Sequence, residues 1–73
     1  MSTGTMKLRL TMEIGDMIRL RSYGGEEIVR RVLRLEGETV VVCREEEIAK
    51  AEIEGREPRG VGFSRRYVLG RAS

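Results

Sequence analysis

The side chains that could do chemistry in this chain are few, because it has no histidine and a single cysteine, Cys43. Histidine is the usual general base at neutral pH, so its absence removes the commonest acid–base chemistry. Cys43 ends a valine-rich run, where burial would raise the pKa of its thiol and suppress its reactivity. The adjacent carboxylates of Glu45, Glu46 and Glu47 would point in different directions on a helix and would not converge on a metal ion. We therefore expect no catalytic residue, no metal or other cofactor, and no enzymatic activity.

Arginine and tyrosine side chains are the remaining candidates for binding. Of the 14 basic residues, 12 are arginine, whose planar guanidinium group grips phosphate or carboxylate with two hydrogen bonds. The stretch GVGFSRRYVLG, residues 60–70, holds two of the three aromatic residues, with two arginines between them. The predicted partner-binding residues are Arg19, Arg21, Tyr23, Arg65, Arg66 and Tyr67.

The net charge of +2 is distributed unevenly along the chain. Residues 1–44 sum to +2, residues 45–58 to −4 and residues 59–73 to +4. An acidic middle followed by a basic end suits docking to an oppositely charged protein or pairing with a second copy. A protein partner or a homo-oligomer is therefore the leading prediction.

Nucleic acid is the alternative partner, because small β-barrels often carry RNA or DNA on a basic strand face with aromatic rings stacked on the bases. This alternative predicts that Arg19, Arg21, Arg65 and Arg66 share one face, away from the acidic segment. The protein alternative predicts an exposed apolar patch near the first strand or the helix. A third interpretation is that these arginines are solvated strand faces without a partner.

Apolar periodicity predicts a mainly β chain. Residues 6–12 and 17–21 alternate apolar and polar side chains, as half-buried strands do, with Ile18 and Leu20 facing inward. The β-branched run 39–43 predicts a buried strand. These segments are separated by glycine-containing turns, as expected of antiparallel strands.

Residues 27–36 fit either a strand or a helix, and we favour the strand because it lies between two glycine turns. The strand would place Val29, Leu33 and Leu35 on one face and Ile28 and Val32 on the other. A turn at Gly37 would join it to the buried strand that follows.

Residues 45–54 predict a short helix. Helix formers dominate, three glutamates occupy the first turn, and Gly55 is a natural end. The chain after it predicts a short strand over 60–63, a tight helical turn over 64–66 and a last strand over 67–69.

Two short motifs resemble those of SH3-like barrels. Residues 15–20, GDMIRL, are similar to the opening of a strand in that family, and residues 62–68, GFSRRYV, resemble the close of SH3 domains, where one 3₁₀ turn joins the last two strands. The resemblance covers most of residues 6–70 and implies an SH3-like small barrel of five to six strands, here with one short inserted helix at about residues 45–54. The family's N-terminal tyrosine motif and tryptophan pair are absent, and only Tyr67 matches an aromatic residue of its peptide groove.

The expected organisation is one domain, residues 6–70, between flexible residues 1–5 and a tail, residues 71–73. A free thiol, no signal peptide and no apolar run of about 20 residues predict a cytoplasmic protein without membrane contact. No glycine-rich phosphate loop is present, and no small-molecule substrate is evident. The sequence thus predicts a non-enzymatic small binding module.

Overall fold

The computed structural model describes residues 11–72, which form a mainly β domain with five antiparallel strands and one helix. The elements are β1 (Met17–Arg21), β2 (Glu27–Glu36), β3 (Thr39–Cys43), α1 (Glu45–Glu54), β4 (Val61–Ser64), a 3₁₀ turn (Arg65–Tyr67) and β5 (Val68–Arg71). The predicted mainly β class and the inserted helix are confirmed, and residues 27–36 are a strand.

The strands form one sheet in the order β4-β3-β2-β1-β5. Strands β1 to β4 follow one another as antiparallel neighbours, and β5 returns to pair with β1. The 3₁₀ turn joins β4 to β5, but these two strands do not pair with each other and are the two edges of the sheet. The sheet is therefore open, so the barrel that the sequence predicted is not closed.

A β-bulge in β2 changes which side chains face the core. The pairing of β2 with β3 shifts between Val32 and Arg34, so Leu33 is an extra residue without a partner on β3. Beyond the bulge, Leu35 packs against the same core as Val32. Simple alternation put Leu35 on the opposite face from Val32, and that prediction is wrong because one extra residue reverses the parity of the strand.

The core lies on one face of the sheet and is built from short aliphatic side chains. Its fully buried members are Ile18, Leu20, Val32, Val40 and Val42. Phe63 of β4 completes it, and Tyr67 and Val68 pack against it from the 3₁₀ turn and β5. The predicted inward positions of Ile18 and Leu20 and the predicted burial of the valine run are confirmed.

Helix α1 follows its sequence signals closely. Three glutamates occupy its first turn, where the helix dipole favours negative charge. Gly55 ends it in the left-handed conformation, with φ of 67°, and its N–H group bonds to the last turn. Ala51 is the one buried residue of the helix, so α1 contributes little to the core.

The segments around the 3₁₀ turn each begin one residue later than predicted, and β5 ends two residues later. Strand β4 runs to Ser64, and the turn covers Arg65–Tyr67. The cause is Ser64, whose Oγ accepts a hydrogen bond from the N–H of Arg66 and so caps the turn from the strand side.

The predicted first strand, residues 6–12, lies mostly outside the described residues. Its last two residues, Thr11 and Met12, are described and do not lie in a strand. Met12 is buried in the core. Within residues 11–72, no helix has the length and apolar character that crossing a bilayer requires.

Candidate functional site

All three aromatic residues of the chain meet at one place, although they come from three elements. Tyr23 of the β1–β2 turn stacks on Phe63 of β4, with ring centroids 4.9 Å apart and an interplanar angle of 13°. The Tyr67 ring, in the 3₁₀ turn, meets Tyr23 edge-on at 5.6 Å and 80°. Both geometries are the favourable ones for aromatic pairs. We call Tyr23, Phe63 and Tyr67 the aromatic cluster.

The aromatic cluster holds the β1–β2 turn against the edge strand β4. The hydroxyl of Tyr23 donates a hydrogen bond to the carbonyl oxygen of Gly62 at 3.0 Å, which fixes the ring beside β4. Phe63 is buried below, whereas Tyr23 remains 68% exposed. The outer face of the cluster is therefore open to a partner.

A groove of about 570 Å³ opens beside Phe63, between strands β2, β3 and β4 and the first turns of α1. Its floor is apolar and consists of Ile28, Val42, Cys43, Val61 and Phe63. Its rim is charged and consists of Arg30, Arg44, Glu46, Glu47, Lys50 and Arg59. We call this depression the groove.

The rim of the groove carries an excess of positive charge. Four of its members are cations and two are carboxylates. Glu47 is already engaged, because its Oε2 accepts hydrogen bonds from Nη1 of Arg56 at 2.6 Å and from the backbone N–H of Arg59 at 2.7 Å. These bonds, led by that from Arg56, lower the pKa of Glu47 from 4.5 to about 2. Its charge is thus paired within the chain, chiefly with that of Arg56.

Cys43 lies in the floor of the groove, and its thiol is buried. Burial raises the pKa of the Cys43 thiol, the charge of Glu47 raises it further, and the charge of Arg31 opposes them. A protonated thiol is neither a nucleophile nor a metal ligand. Among residues 11–72, no three Cys, Asp or Glu side chains are grouped as a metal site would need.

Of the six sequence-predicted site residues, the structure brings the rings of Tyr23 and Tyr67 into contact, and three of the arginines have partners within the chain. Arg19 pairs with Glu27 at 3.2 Å, and Arg21 donates to the carbonyl oxygen of Gly25 at 3.1 Å. Both arginines therefore lie near the first residues of β2.

Arg65 and Arg66 lie in the 3₁₀ turn. The Nε of Arg65 donates to the carbonyl oxygen of Gly37 at 2.9 Å, in the turn that follows β2. Arg66 is exposed. The same turn carries Tyr67, whose ring contacts Tyr23, two residues after Arg21.

Sequence reasoning missed most of the groove. Its rim cations come from three separate parts of the chain, namely β2, the helix α1 with the residue before it, and the segment before β4; they are Arg30, Arg44, Lys50 and Arg59. The one sequence signal for the groove was the pair Val61 and Phe63. They are two positions apart within residues 60–70, so a strand places both on one face.

Comparison with known proteins gives this chain no relative: no family model matches it, and neither a curated protein nor a solved structure does.

Proposed function

We propose that this protein is a non-enzymatic binding module that takes a segment of a protein partner in the groove. The observation that carries the proposal is an apolar floor with a charged rim of four cations and two carboxylates. One of these carboxylates, that of Glu47, is paired with Arg56. Such a surface favours a segment that combines apolar side chains with carboxylates. The exposed ring of Tyr23 extends the surface beyond the groove.

Insertion of side chains is the expected mode of binding, rather than addition of a strand to β4. The carbonyl oxygen of Gly62 on this edge strand is already bonded to the hydroxyl of Tyr23. A partner strand would have to break that bond to pair there. The apolar floor at Val61 and Phe63, in contrast, is open to side chains.

We propose an SH3-like architecture as the scaffold. It is supported by the element order, with β5 returning to β1 after a single 3₁₀ turn, and by the long, bulged strand β2. The inserted helix α1 and the open sheet depart from the family pattern. The departure matters for function because α1 forms one wall of the groove.

A protein segment accounts for this surface better than nucleic acid does. Arg19 is paired with Glu27, and Arg21 and Arg65 donate to the backbone carbonyl oxygens of Gly25 and Gly37, so three of the four arginines predicted for nucleic acid are engaged within the chain. Nucleic acid needs cations spaced along its backbone. The apolar floor of the groove has no role in contacts with phosphates.

An NMR titration of ¹⁵N-labelled protein tests the proposal. Two pools of short peptides carry the same apolar residues, with glutamate at the other positions in one pool and lysine in the second. A third ligand is a mixture of short RNA and DNA strands. We expect the glutamate pool alone to shift the amide signals of Arg59, Val61 and Phe63.

Two matched variants locate the binding. Val61 is 57% exposed and lines the groove, so Val61→Asp should abolish the shifts without unfolding the chain. Val29 is 44% exposed on β2 outside the groove, so Val29→Asp should leave binding unchanged. Absence of shifts with either peptide pool at millimolar concentration would refute the proposal. Salt-sensitive shifts with nucleic acid at Arg19, Arg21 and Tyr67 would put nucleic acid in its place.

A further inference from the structure

Phe63 belongs to two surfaces at once. It lines the floor of the groove, and its ring stacks on that of Tyr23 with centroids 4.9 Å apart. Phe63 itself is buried, whereas Tyr23 is 68% exposed although it touches two other rings. The groove therefore continues, across Phe63, into the exposed surface of the Tyr23 ring.

We propose that the partner segment places an aromatic ring on Tyr23, beside the apolar side chain that enters the groove. This inference rests on the proposed function, because it names the second side chain that this surface recognises. The partner segment is then acidic and carries two anchors, one apolar and one aromatic.

The Tyr23 ring is held in place by contacts within the chain. Its hydroxyl group donates a hydrogen bond to the carbonyl oxygen of Gly62 at 3.0 Å, its face stacks on Phe63, and Tyr67 meets it edge-on at 5.6 Å. A side chain that is already ordered loses little conformational entropy when another group stacks on it. A contact with this ring therefore contributes more to affinity than a contact with a mobile side chain would.

The contacts within the aromatic cluster favour a flat ring over other apolar groups. Proline-rich segments dock into grooves between aromatic rings, and a methylated ammonium group needs a cage of them. In both cases the rings are separated by the group they hold, whereas Tyr23 is in direct contact with Phe63 and with Tyr67. The cluster thus presents one exposed ring as a platform, on which a flat aromatic side chain makes a large and favourable contact.

Charge argues against a cation as the group that stacks on Tyr23, although guanidinium and ammonium groups also bind aromatic faces. The rim of the adjoining groove carries four cations against two carboxylates. Arg66, next to Tyr67 in the 3₁₀ turn, is exposed as well. These cations repel a further cation but not a neutral ring, and they favour carboxylates around the two anchors.

The geometry limits the distance between the two anchors. Val61 and Phe63 are two positions apart on β4, which is about 7 Å, and the Tyr23 ring is 4.9 Å from that of Phe63. The groove at Val61 and the Tyr23 ring are therefore about 12 Å apart or less. An extended segment spans this distance with anchors two positions apart in a β conformation, or three in a polyproline II conformation.

An NMR titration of the ¹³C- and ¹⁵N-labelled full chain with matched peptides tests the inference. Each peptide is blocked at both ends and consists of glutamates around two anchors, of which the first is leucine. The second anchor, two or three positions later, is phenylalanine, leucine, proline or arginine. We expect the phenylalanine peptide to bind roughly three- to tenfold more tightly than the leucine peptide, which is the usual contribution of an aromatic pair. Its ring should also shift the ring-proton signals of Tyr23.

Variants of the protein locate the preference. Tyr23→Leu removes the platform, so the phenylalanine and leucine peptides should bind this variant with equal affinity. Tyr23→Phe keeps the ring stacked on Phe63 and should keep the preference. Ile14→Ser is the matched control, because Ile14 is also 68% exposed but precedes β1, whereas Tyr23 follows it. The comparison of peptides on the wild-type protein is decisive even if Tyr23→Leu does not fold.

The outcomes separate this inference from the proposed function. Equal affinities of the phenylalanine and leucine peptides for the wild type, with shifts at Val61 in both titrations, would refute the aromatic anchor alone. Tighter binding of the proline or arginine peptide would overturn it too, as would a phenylalanine preference that persists in Tyr23→Leu. If no peptide shifted the signals of the groove, the proposed function would fail and the inference with it.

Discussion

Gly60 precedes β4 and lies close against the sheet. A Cβ atom built on Gly60 would be 2.6 Å from Cγ1 of Val41 and 2.8 Å from Cδ1 of Leu33. The backbone carbonyl oxygen of Val42 would be 3.1 Å away. The φ of Gly60 is not in the left-handed region, so the effect of adding a methyl group is steric and not conformational. Since Gly60 lies between Arg59 and Val61, this close approach also sets the position of the groove.

We expect Gly60→Ala to destabilise the protein by about 1–3 kcal/mol, the usual cost of overpacking a site that cannot open freely. Val41 is β-branched and has few alternative rotamers, which favours the upper part of this range. For a domain of this size, such a loss lowers Tm by roughly 5–20 °C. Thermal unfolding followed by circular dichroism measures the change directly.

Gly24→Ala is the matched control, because its nearest atom, Oγ of Ser22, is 3.8 Å away and its φ is also outside the left-handed region. That variant should be neutral or slightly stabilised, since alanine reduces the freedom of the unfolded chain. In a Val41→Ala background, the cost of Gly60→Ala should fall, because one of the clashing methyl groups is gone. Equal Tm values for Gly60→Ala and the wild type would refute the steric account of this position.

Three further outcomes follow from the described contacts. Because the folded-state pKa of Glu47 is about 2 rather than 4.5, its contribution to stability is present above about pH 4.5 and is lost as the pH falls towards 2. Urea midpoints of Glu47→Gln should therefore vary less than those of the wild type across this window, and equal slopes would contradict the role of Arg56. Cys43, whose thiol is buried with a raised pKa, should react with Ellman's reagent slowly in the folded protein and rapidly in urea; equal rates would contradict its burial. Tyr23→Phe keeps the ring stacked on Phe63 and should lose no more than about 1 kcal/mol by urea unfolding. Tyr23→Ala should lose about 1 kcal/mol more, and identical midpoints would show that the stack contributes nothing.

Elements with strong local signals could be predicted from the sequence alone. Strand β1 alternates without interruption, the first four residues of strand β3 are β-branched, and α1 carries both its acidic first turn and its terminal Gly55. In each case the local preference agrees with the burial that the fold imposes, which is the condition under which sequence patterns are dependable.

The bulge at Leu33 could not be predicted, because nothing in the segment EIVRRVLRLE marks one residue as extra. Its cause is the fit between β2 and β3, which depends on partners more distant in the sequence. The same reasoning applies to the groove. Arg44 and Arg59 are 15 positions apart, and they share a rim because the chain between them folds into α1 and returns to the sheet.

The aromatic cluster could not be predicted as a cluster. The sequence singled out Tyr23 and Tyr67 as binding residues but gave no sign that their rings meet each other or that Tyr23 stacks on Phe63. The missing information was the approach of the β1–β2 turn to β4. That approach is a long-range contact made by Tyr23 itself, through its ring and its hydroxyl group.

Helix α1 is better explained by the groove than by the sheet. Strands β3 and β4 are antiparallel neighbours, which a short turn could join, yet the chain between them contains a helix with one buried residue. The helix is held by polar contacts, namely the ion pair of Arg31 with Glu45 and the bonds of Arg56 and Arg59 to Glu47.

Replacing residues 44–59 by Asn-Gly should therefore leave the sheet and remove the groove. The replacement leaves a loop of about four residues between the paired Val42 and Val61, a common length for a β-hairpin. We expect a protein with a lower Tm and preserved strand signals that no longer responds to the glutamate peptides. The stability lost should be modest, because Ala51 is the one helix side chain removed from the interior. If the shortened chain did not fold, α1 would be a structural necessity, and its part in forming the rim would be a consequence of the fold and not its purpose.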